Sequence, residues 1–144
     1  MNKFTLKIIT PERIVLEQEV EEVLLPTREG IVGILANHVP YLASLRADEL
    51  VVYPAKVKDS EPLSFAIDFG LAEFAHNQLL VLVASAAAAA EIDLQLAEQA
   101  KKRADELMAQ TLTDEDYANA LALIEREQAK IKVASKYRLK HRVA

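Results

Sequence analysis

Apolar and polar residues follow two patterns along the chain, and the change falls at five consecutive alanines, residues 86–90. Before this run, apolar residues alternate with polar ones, and Pro and Gly recur. After it there is no Pro or Gly, and apolar residues recur every three or four positions. Alternation is typical of strands, and the second spacing is typical of helices. The sequence therefore predicts a β part, residues 1–86, and a helical part, residues 87–144.

The first part contains short alternating segments separated by turn residues, for example Thr10-Pro11-Glu12 and His76-Asn77. Proline fixes φ and lacks a backbone donor, so it punctuates strands. Roughly nine short strands with frequent turns predict a β-sandwich. The predicted segments are 4–9, 13–18, 19–25 (ended by Pro26), 29–35, 50–53, 55–58, 63–67, 71–75 and 79–84.

The second part predicts two helices of about 19 and 24 residues, joined by a break at residues 111–113. Thr113 is a good N-cap, and three acidic residues follow it, where the helix dipole favours negative charge. A short loop predicts an antiparallel hairpin, which buries only one seam and needs a surface to lie on. The predicted apolar faces are Ile92, Leu96, Ala97, Ala100, Ala104 and Leu107, then Tyr117, Ala120, Leu121, Ile124, Gln128, Ile131 and Ala134.

Charge is unevenly distributed in this acidic chain, whose formal net charge is -5. Residues 128–144 hold six Lys or Arg and no Asp or Glu. Such a tail indicates an acidic partner surface, or a solvated helix end whose cations favour the C-terminal dipole. Both interpretations stay open on charge alone.

Candidate chemistry is sparse. There is no cysteine, and the three histidines, His38, His76 and His141, lack the spacing of metal ligands. His76 is expected at the surface of a turn. No nucleophile elbow or phosphate-binding glycine loop is present, the N-terminus has no apolar stretch of signal-peptide type, and no segment approaches the length of a membrane span. The sequence predicts a protein that is not an enzyme.

Several segments together resemble the epsilon subunit of the F-type ATP synthase, in order and over nearly the whole chain. The most specific segment runs from Gly30 to Pro40, within residues 25–40. Residues 70–84 are similar to the last two strands of that family, and Ile92-Asp93 to the opening of its first helix. One departure is Phe69-Gly70, where the family often has two glycines.

The resemblance implies an α+β fold, a ten-stranded β-sandwich followed by an antiparallel two-helix hairpin. It also implies a non-catalytic subunit of the central rotor stalk, which lies with the gamma subunit on the ring of c subunits. Such a subunit couples ion flow to rotation and touches the membrane only through the complex. The expected location is the cytoplasmic face of the bacterial cell membrane.

The resemblance further implies a movable hairpin. Folded down, it packs on the sandwich and permits turnover; extended, it rises toward the alpha and beta subunits and resists ATP hydrolysis. The alanine run then becomes the hinge. The cations expected to face acidic partner loops are Arg126, Lys130, Lys132, Lys136 and Arg138.

By resemblance, the loop of the signature segment meets gamma and the c-ring. For His38, an interface role and a structural role that holds the loop are both retained. The expected interface residues are Glu29, Gly30, Gly33, His38, Pro40, Tyr41 and Leu42.

Some bacterial members of this family bind ATP through the pattern Ile-Asp-x-x-Arg-Ala. Here Ile92, Asp93 and Ala97 match, but Leu96 replaces the Arg. Loss of that cation removes a phosphate partner, although Arg126 could supply part of the charge. We expect no cofactor, and weak or absent ATP binding.

Two alternatives come from other classes of protein. One is a free adaptor or chaperone-like module that grips clients with its hairpin. The other is a nucleic-acid binder that uses the basic tail around Tyr137, for which one aromatic residue in an acidic chain gives little support. The favoured interpretation therefore has no nucleic acid among its partners.

Overall fold

The structure is a computed structural model that describes residues 2–55, 60–110 and 112–141. Within this part of the chain, nine strands precede two helices, which confirms the predicted α+β fold. In chain order the elements are β1 (Phe4–Ile9), β2 (Ile14–Thr27), β3 (Gly30–Leu35), β4 (Tyr41–Leu45), β5 (Asp48–Pro54), β6 (Leu63–Ile67), β7 (Gly70–Ala75), β8 (Gln78–Val83), β9 (Ala86–Ala88), a single 3-10 turn (Ala89–Glu91), α1 (Leu94–Met108) and α2 (Asp114–Lys140).

The strands form a sandwich around one apolar core, and β2 belongs to both of its layers. The hydrogen-bonded order is β1-β8-β7-β4-β2-β5-β6-β9, with β3 beside β2 and β1 also paired with β2. Alternate side chains of β1, namely Phe4, Leu6 and Ile8, are buried in this core. This alternation is the reason why the pattern of the sequence predicted the strands correctly.

Strand β2 corrects the prediction of two strands at residues 13–18 and 19–25. It is one strand of 14 residues that changes partners along its length. Its first half pairs with β1, its second half pairs with β3 and β5, and the register shifts between Val20 and Glu22. Pro26 does not end the strand: it is buried, and its carbonyl accepts the Arg46 N–H at 3.0 Å. Proline lacks the backbone N–H donor but keeps its carbonyl acceptor, so it can remain within the strand at this position.

The prediction missed β4 and placed a strand at residues 55–58. Strand β4 pairs antiparallel with β7 from Tyr41 to Leu45, but its small central residues Ala43 and Ser44 weaken the alternating signal. Ala55 lies in a bend after β5, and residues 56–58 lie outside the described part of the chain.

The alanine run is not α-helical, although alanine is the strongest helix former. Ala86, Ala87 and Ala88 pair with Ile67, Ala66 and Phe65 at the edge of β6. Residues 89–91 form the 3-10 turn, and α1 begins only at Leu94. Pairing with the open edge of β6 outweighs the helix propensity of these alanines. The division between residues 86 and 87 stays a prediction, while the sheet itself continues to Ala88.

Both helices begin after a side-chain cap, of which the sequence predicted Thr113 and not Asp93. The Asp93 carboxylate accepts the Leu96 N–H at 3.1 Å, and the Thr113 hydroxyl accepts the Asp116 N–H at 3.1 Å. These contacts satisfy backbone donors that a helix N-terminus leaves unpaired. The helices have 15 and 27 residues, so the first is shorter and the second longer than predicted.

Gly70 gives a test of the sandwich. A Cβ atom at Gly70 would overlap the Leu82 carbonyl oxygen and lie 2.8 Å from Val83 Cα, both in the adjacent strand. We expect Gly70→Ala to lower the free energy of unfolding by about 3 kcal/mol, because rigid backbone must move. Urea denaturation of the full chain measures this loss.

Gly30→Ala is the matched control. Its φ is +128°, but a Cβ there meets no atom within 4 Å. The expected loss is backbone strain alone, about 1–2 kcal/mol. Equal losses for the two variants would contradict the argument from backbone overlap.

Candidate functional site

The two helices pack against each other through small side chains. Ala97 and Ala104 of α1 and Ala120 and Ile124 of α2 are buried, as predicted. The same prediction is wrong for four larger residues, which remain exposed. Small side chains let the helices approach closely, and this leaves the larger neighbours outside the seam. The exposed residues are Leu96, Leu107, Tyr117 and Leu121.

A second face of α2 lies on the sandwich, next to β5 and β6. Ala129 and Val133 are buried there against Ala66 of β6 and Ala89 of the 3-10 turn. The partly buried Ile92 and Tyr137 complete this apolar contact. The sequence analysis missed the face formed by Ala129, Val133 and Tyr137, although their i, i+4 spacing is a helical signal. The structure thus shows the hairpin folded down on the sandwich.

Two lysines of α2 flank this contact and pair with the beginning of β5. Lys132 Nζ donates to Asp48 Oδ1 at 2.8 Å, and Lys136 Nζ donates to Glu49 Oε1 at 2.7 Å. The carboxylate side chains are only 18% and 9% exposed, whereas the lysine side chains are 48% and 60% exposed. The acidic partners are therefore fixed within the fold, and the cations reach them from the surface.

Asp48 is held in its charged form by its surroundings. Burial of its carboxyl favours the neutral form, yet hydrogen bonds from Lys132 and from the Glu49 N–H, and the charges of Lys132 and Arg46, together lower the pKa of Asp48. Arg46 Nη2 lies 3.0 Å from Asp48 Oδ2. The cost of burial is thus more than offset by paired and hydrogen-bonded cations.

A third charged group joins α2 to the turn between β6 and β7. Arg126 Nη1 lies 3.6 Å from Asp68 Oδ2, and its Nε lies 3.9 Å from Glu127 Oε1. Lys130 Nζ lies 3.4 Å from the same Glu127 oxygen. Asp68 and Glu127 are both buried. Arg126 therefore already neutralises buried carboxylates and is not a free cation.

The predicted basic face is thus partly occupied within the molecule. Arg126, Lys130, Lys132 and Lys136 all contact carboxylates, and three of them contact the sandwich. Arg138 is exposed and forms no ion pair with any described residue. Arg142 lies outside the described residues. The sequence could not show that the acidic partners are Asp48, Glu49 and Asp68, because they lie 58 or more residues away.

The residues of the doubtful nucleotide pattern have separate roles. Asp93 caps α1, Ala97 lies buried in the helix seam, and Ile92 packs against the contact with α2. Leu96 is 61% exposed. With Arg126 engaged by carboxylates, this arrangement offers no unpaired guanidinium to a phosphate group.

Hydrogen bonds and ring contacts hold the predicted interface loop in place. His38 Nδ1 lies 2.7 Å from the Val39 carbonyl oxygen, and its ring contacts the edges of Tyr41 and Phe74. Asn37, at φ 65°, donates its N–H to Asn77 Oδ1 at 2.8 Å. These contacts support the structural role of His38, and the ring remains half-buried rather than hidden.

Large apolar side chains are exposed around this loop and on the adjoining sheet face. Leu42 of β4 is among them, as are Leu71 and Leu82, which are paired across β7 and β8. The sequence analysis did not name the last two, although they occupy outward positions of alternating strands. Glu29, Gly33 and Pro40 are also exposed, whereas Gly30 and Tyr41 are half-buried. Contiguous exposed apolar patches are typical of interaction surfaces.

Within the described ranges, no group of three or more His, Cys, Asp or Glu side chains is arranged to hold a metal ion. The helices of the described chain are also too short or too polar to cross a membrane. His76 lies exposed in the β7–β8 turn, as expected.

The sequence is similar to one family over most of its length. Residues 3–89 match the family model described as ATP synthase, Delta/Epsilon chain, beta-sandwich domain. The ATP synthase epsilon chain of Syntrophobacter fumaroxidans is 36% identical over 135 residues, which cover 93% of this chain and 97% of the relative. The epsilon chain of Herpetosiphon aurantiacus is 38% identical over 129 residues, covering 90% and 92%.

Solved structures share the fold at low sequence identity. A chain in the mitochondrial ATP synthase of Euglena gracilis, solved as OSCP, F1 and c-ring, aligns with a TM-score of 0.77 and 18% identity, covering 92% of this chain and 81% of that chain. A chain in the central stalk and c-ring of the Tetrahymena thermophila mitochondrial enzyme aligns with a TM-score of 0.57 and 18% identity, covering 92% and 94%.

The pairing of Asp48 predicts how stability depends on pH. Because its folded-state pKa is below the unfolded value of about 3.9, its contribution is complete above about pH 4 and is lost as pH falls through the folded value. Asp48→Asn removes this contribution at every pH. We expect its free energy of unfolding to fall less steeply than that of the unmodified chain below pH 4.

Denaturant titrations at pH 7 and at several values below pH 4 measure this difference. Glu29→Gln is the matched control, since Glu29 is exposed and forms no ion pair with a described residue. Parallel pH profiles for Asp48→Asn and the unmodified chain would contradict the assignment.

Proposed function

The chain belongs to the family of ATP synthase epsilon chains, and we propose that it acts there as a non-catalytic subunit of the rotor. The observation that carries this proposal is the extent of the similarity, which spans 93% of this chain and 97% of an epsilon chain, the hairpin included. As a rotor subunit of an F-type ATP synthase, the chain is part of a membrane-associated complex. Its proposed location is the cytoplasmic face of the bacterial membrane.

We assign the sandwich to coupling. The loop around His38 and the exposed apolar side chains Leu42, Leu71 and Leu82 are the surface proposed to meet the gamma subunit and the c-ring. Asn77 of the β7–β8 turn accepts a hydrogen bond from the loop and donates one to Lys3. These bonds hold the loop in place, so it could transmit torque without changing shape. Solved relatives that contain F1 and c-ring components support this placement of the family.

We assign the hairpin to regulation. Its contact with the sandwich is built from small side chains, Ala66, Ala89, Ala129 and Val133, so little apolar surface opposes its release. Two states that differ by a few kcal/mol can be shifted by a partner. When extended, the hairpin would present Arg126, Lys130, Lys132, Lys136 and Arg138 to the alpha and beta subunits.

A non-catalytic role agrees with the chemistry of the site. The charged groups near the hairpin pair with one another. The described His residues are separate: His38 supports a loop, His76 lies in a turn, and His141 lies 3.1 Å from Glu61. None is placed beside a nucleophile.

Assembly tests the proposed function. We expect the tagged chain, expressed in cells that lack their own epsilon subunit, to co-purify stoichiometrically with gamma and the catalytic hexamer. Leu42→Glu should reduce recovery of the complex at least tenfold, because it buries a charge in an apolar interface. Quantitative gel densitometry or mass spectrometry measures recovery.

Leu139→Glu is the matched control, since Leu139 is 71% exposed on α2, away from the proposed surface. It should co-purify normally. Purification of the chain without any ATP synthase subunit would favour a free adaptor and refute the proposal.

Nucleotide binding is a separate proposal. We propose that the chain carries no cofactor and binds ATP weakly or not at all, because Leu96 replaces a cation and Arg126 is engaged by Asp68 and Glu127. Calorimetric titration of the full chain with ATP in the absence of magnesium should give no constant tighter than about 1 mM, a loss that fits a missing charge-assisted contact. A micromolar constant would contradict this proposal.

Leu96→Arg provides the converse variant. Since Leu96 is exposed in the first turns of α1, the substitution should fold normally. If the missing cation is the main defect, this variant should bind ATP more tightly than the unmodified chain.

A further inference from the structure

Two exposed lysines of α2 are bound to the sandwich in the folded-down hairpin. Lys132 and Lys136 are one helical turn apart and pair with the adjacent carboxylates Asp48 and Glu49. We propose that these two ion pairs form an electrostatic latch, and that an acidic surface releases the hairpin by competing for the same two ammonium groups. The regulatory consequence rests on the proposed function, whereas the latch is a property of the chain alone.

The acidic side of the latch is fixed in position. Asp48 accepts the Glu49 N–H at 2.7 Å and is paired with Arg46, which also donates to the Thr27 carbonyl at 2.8 Å. Glu49 Oε2 accepts the Ser64 hydroxyl at 2.9 Å. Because the carboxylates are already oriented, little side-chain entropy is lost on their side when the lysines bind.

The basic side of the latch remains accessible. An open groove of about 960 Å³ runs beside the two pairs, and both lysines contribute to its lining. Dissolved ions and acidic side chains can therefore approach the ammonium groups while the hairpin is still in place. When an ammonium group binds a carboxylate of another molecule, its ion pair with Asp48 or Glu49 of β5 is weakened.

The latch matters because the apolar contact beside it is small. Its buried members are three alanines and one valine, Ala66, Ala89, Ala129 and Val133. The two partly exposed ion pairs together contribute less than the apolar burial but enough to shift the position of a hairpin held by so small a contact. The position of the hairpin should therefore respond to ionic strength, since salt screens partly exposed pairs.

Hydrogen exchange of the full chain tests the latch, because a released two-helix hairpin protects its amides poorly. Raising NaCl from about 20 to about 500 mM should speed exchange in α1 and α2 roughly threefold to tenfold, with β7 and β8 unchanged. Lys132→Gln together with Lys136→Gln should speed exchange already at low salt and leave only the smaller salt response of the Arg126–Asp68 pair.

Arg138→Gln together with Lys140→Gln is the matched control. It removes the same charge from the same helix, at exposed positions that form no ion pair with described residues. The salt response should remain in this variant. Equal behaviour of the two double variants, or no salt response in the unmodified chain, would overturn the latch.

Poly-glutamate serves as the acidic probe at low salt. It should speed exchange in the hairpin of the unmodified chain and of the control variant, and leave the Lys132→Gln, Lys136→Gln variant unaffected. No effect on the unmodified chain would refute release by competition. These measurements use the isolated chain, so they fail or succeed independently of assembly into an ATP synthase.

Discussion

The arrangement of the molecule depends on how little apolar surface joins the hairpin to the sandwich. The contact consists of alanines and one valine, with Ile92 and Tyr137 at its margin. Burial of one methylene contributes about 0.8 kcal/mol, so a contact built from alanines holds the hairpin less tightly than one built from larger apolar side chains. A small contact keeps the folded-down state close in free energy to an open one. It also lets ion pairs at the margin, worth up to about 1 kcal/mol each, shift the balance between the two states.

Small side chains also determine which residues lie on the outer surface of the hairpin. Since α1 and α2 meet through Ala97, Ala104 and Ala120, the helix axes can lie close together, and the larger apolar residues remain outside. A hairpin that displays Leu96, Leu107, Tyr117 and Leu121 while folded down retains apolar side chains for another surface. Burial of those side chains on a partner would compensate for the loss of the contact with the sandwich.

The sequence predicted what depends on local physics and missed what depends on pairing between distant residues. Alternation identified most strands, and the cap Thr113 identified where α2 begins. Alternation could not show that residues 14–27 form one strand shared by two layers, since this follows from its partners. It also could not show that Ala86–Ala88 are extended, because the edge of β6 lies about 20 residues earlier in the chain.

The sequence predicted the cations of the candidate site but not the carboxylates that pair with them. A run of Lys and Arg without acidic residues is visible in the sequence and suggested acidic contacts, of which those with a partner subunit stay a prediction. Folding supplies the first of these contacts from Asp48, Glu49 and Asp68 of the chain itself. The two interpretations of the tail, an acidic partner or a solvated helix end, therefore omitted a third arrangement in which the acidic partner is intramolecular.

The extended alanines also change where a moving hairpin would bend. Ala86–Ala88 are hydrogen-bonded to β6, and Asp93 caps α1, so only residues 89–92 lie between two fixed elements. The weak 3-10 hydrogen bond from the Ile92 N–H to the Ala89 carbonyl, at 3.4 Å, is the backbone bond within this interval. We infer that rotation about these four residues would free the hairpin without breaking the sheet or uncapping α1. The apolar face around Leu42, Leu71 and Leu82 would then keep its geometry in either position of the hairpin, so coupling and regulation could operate separately.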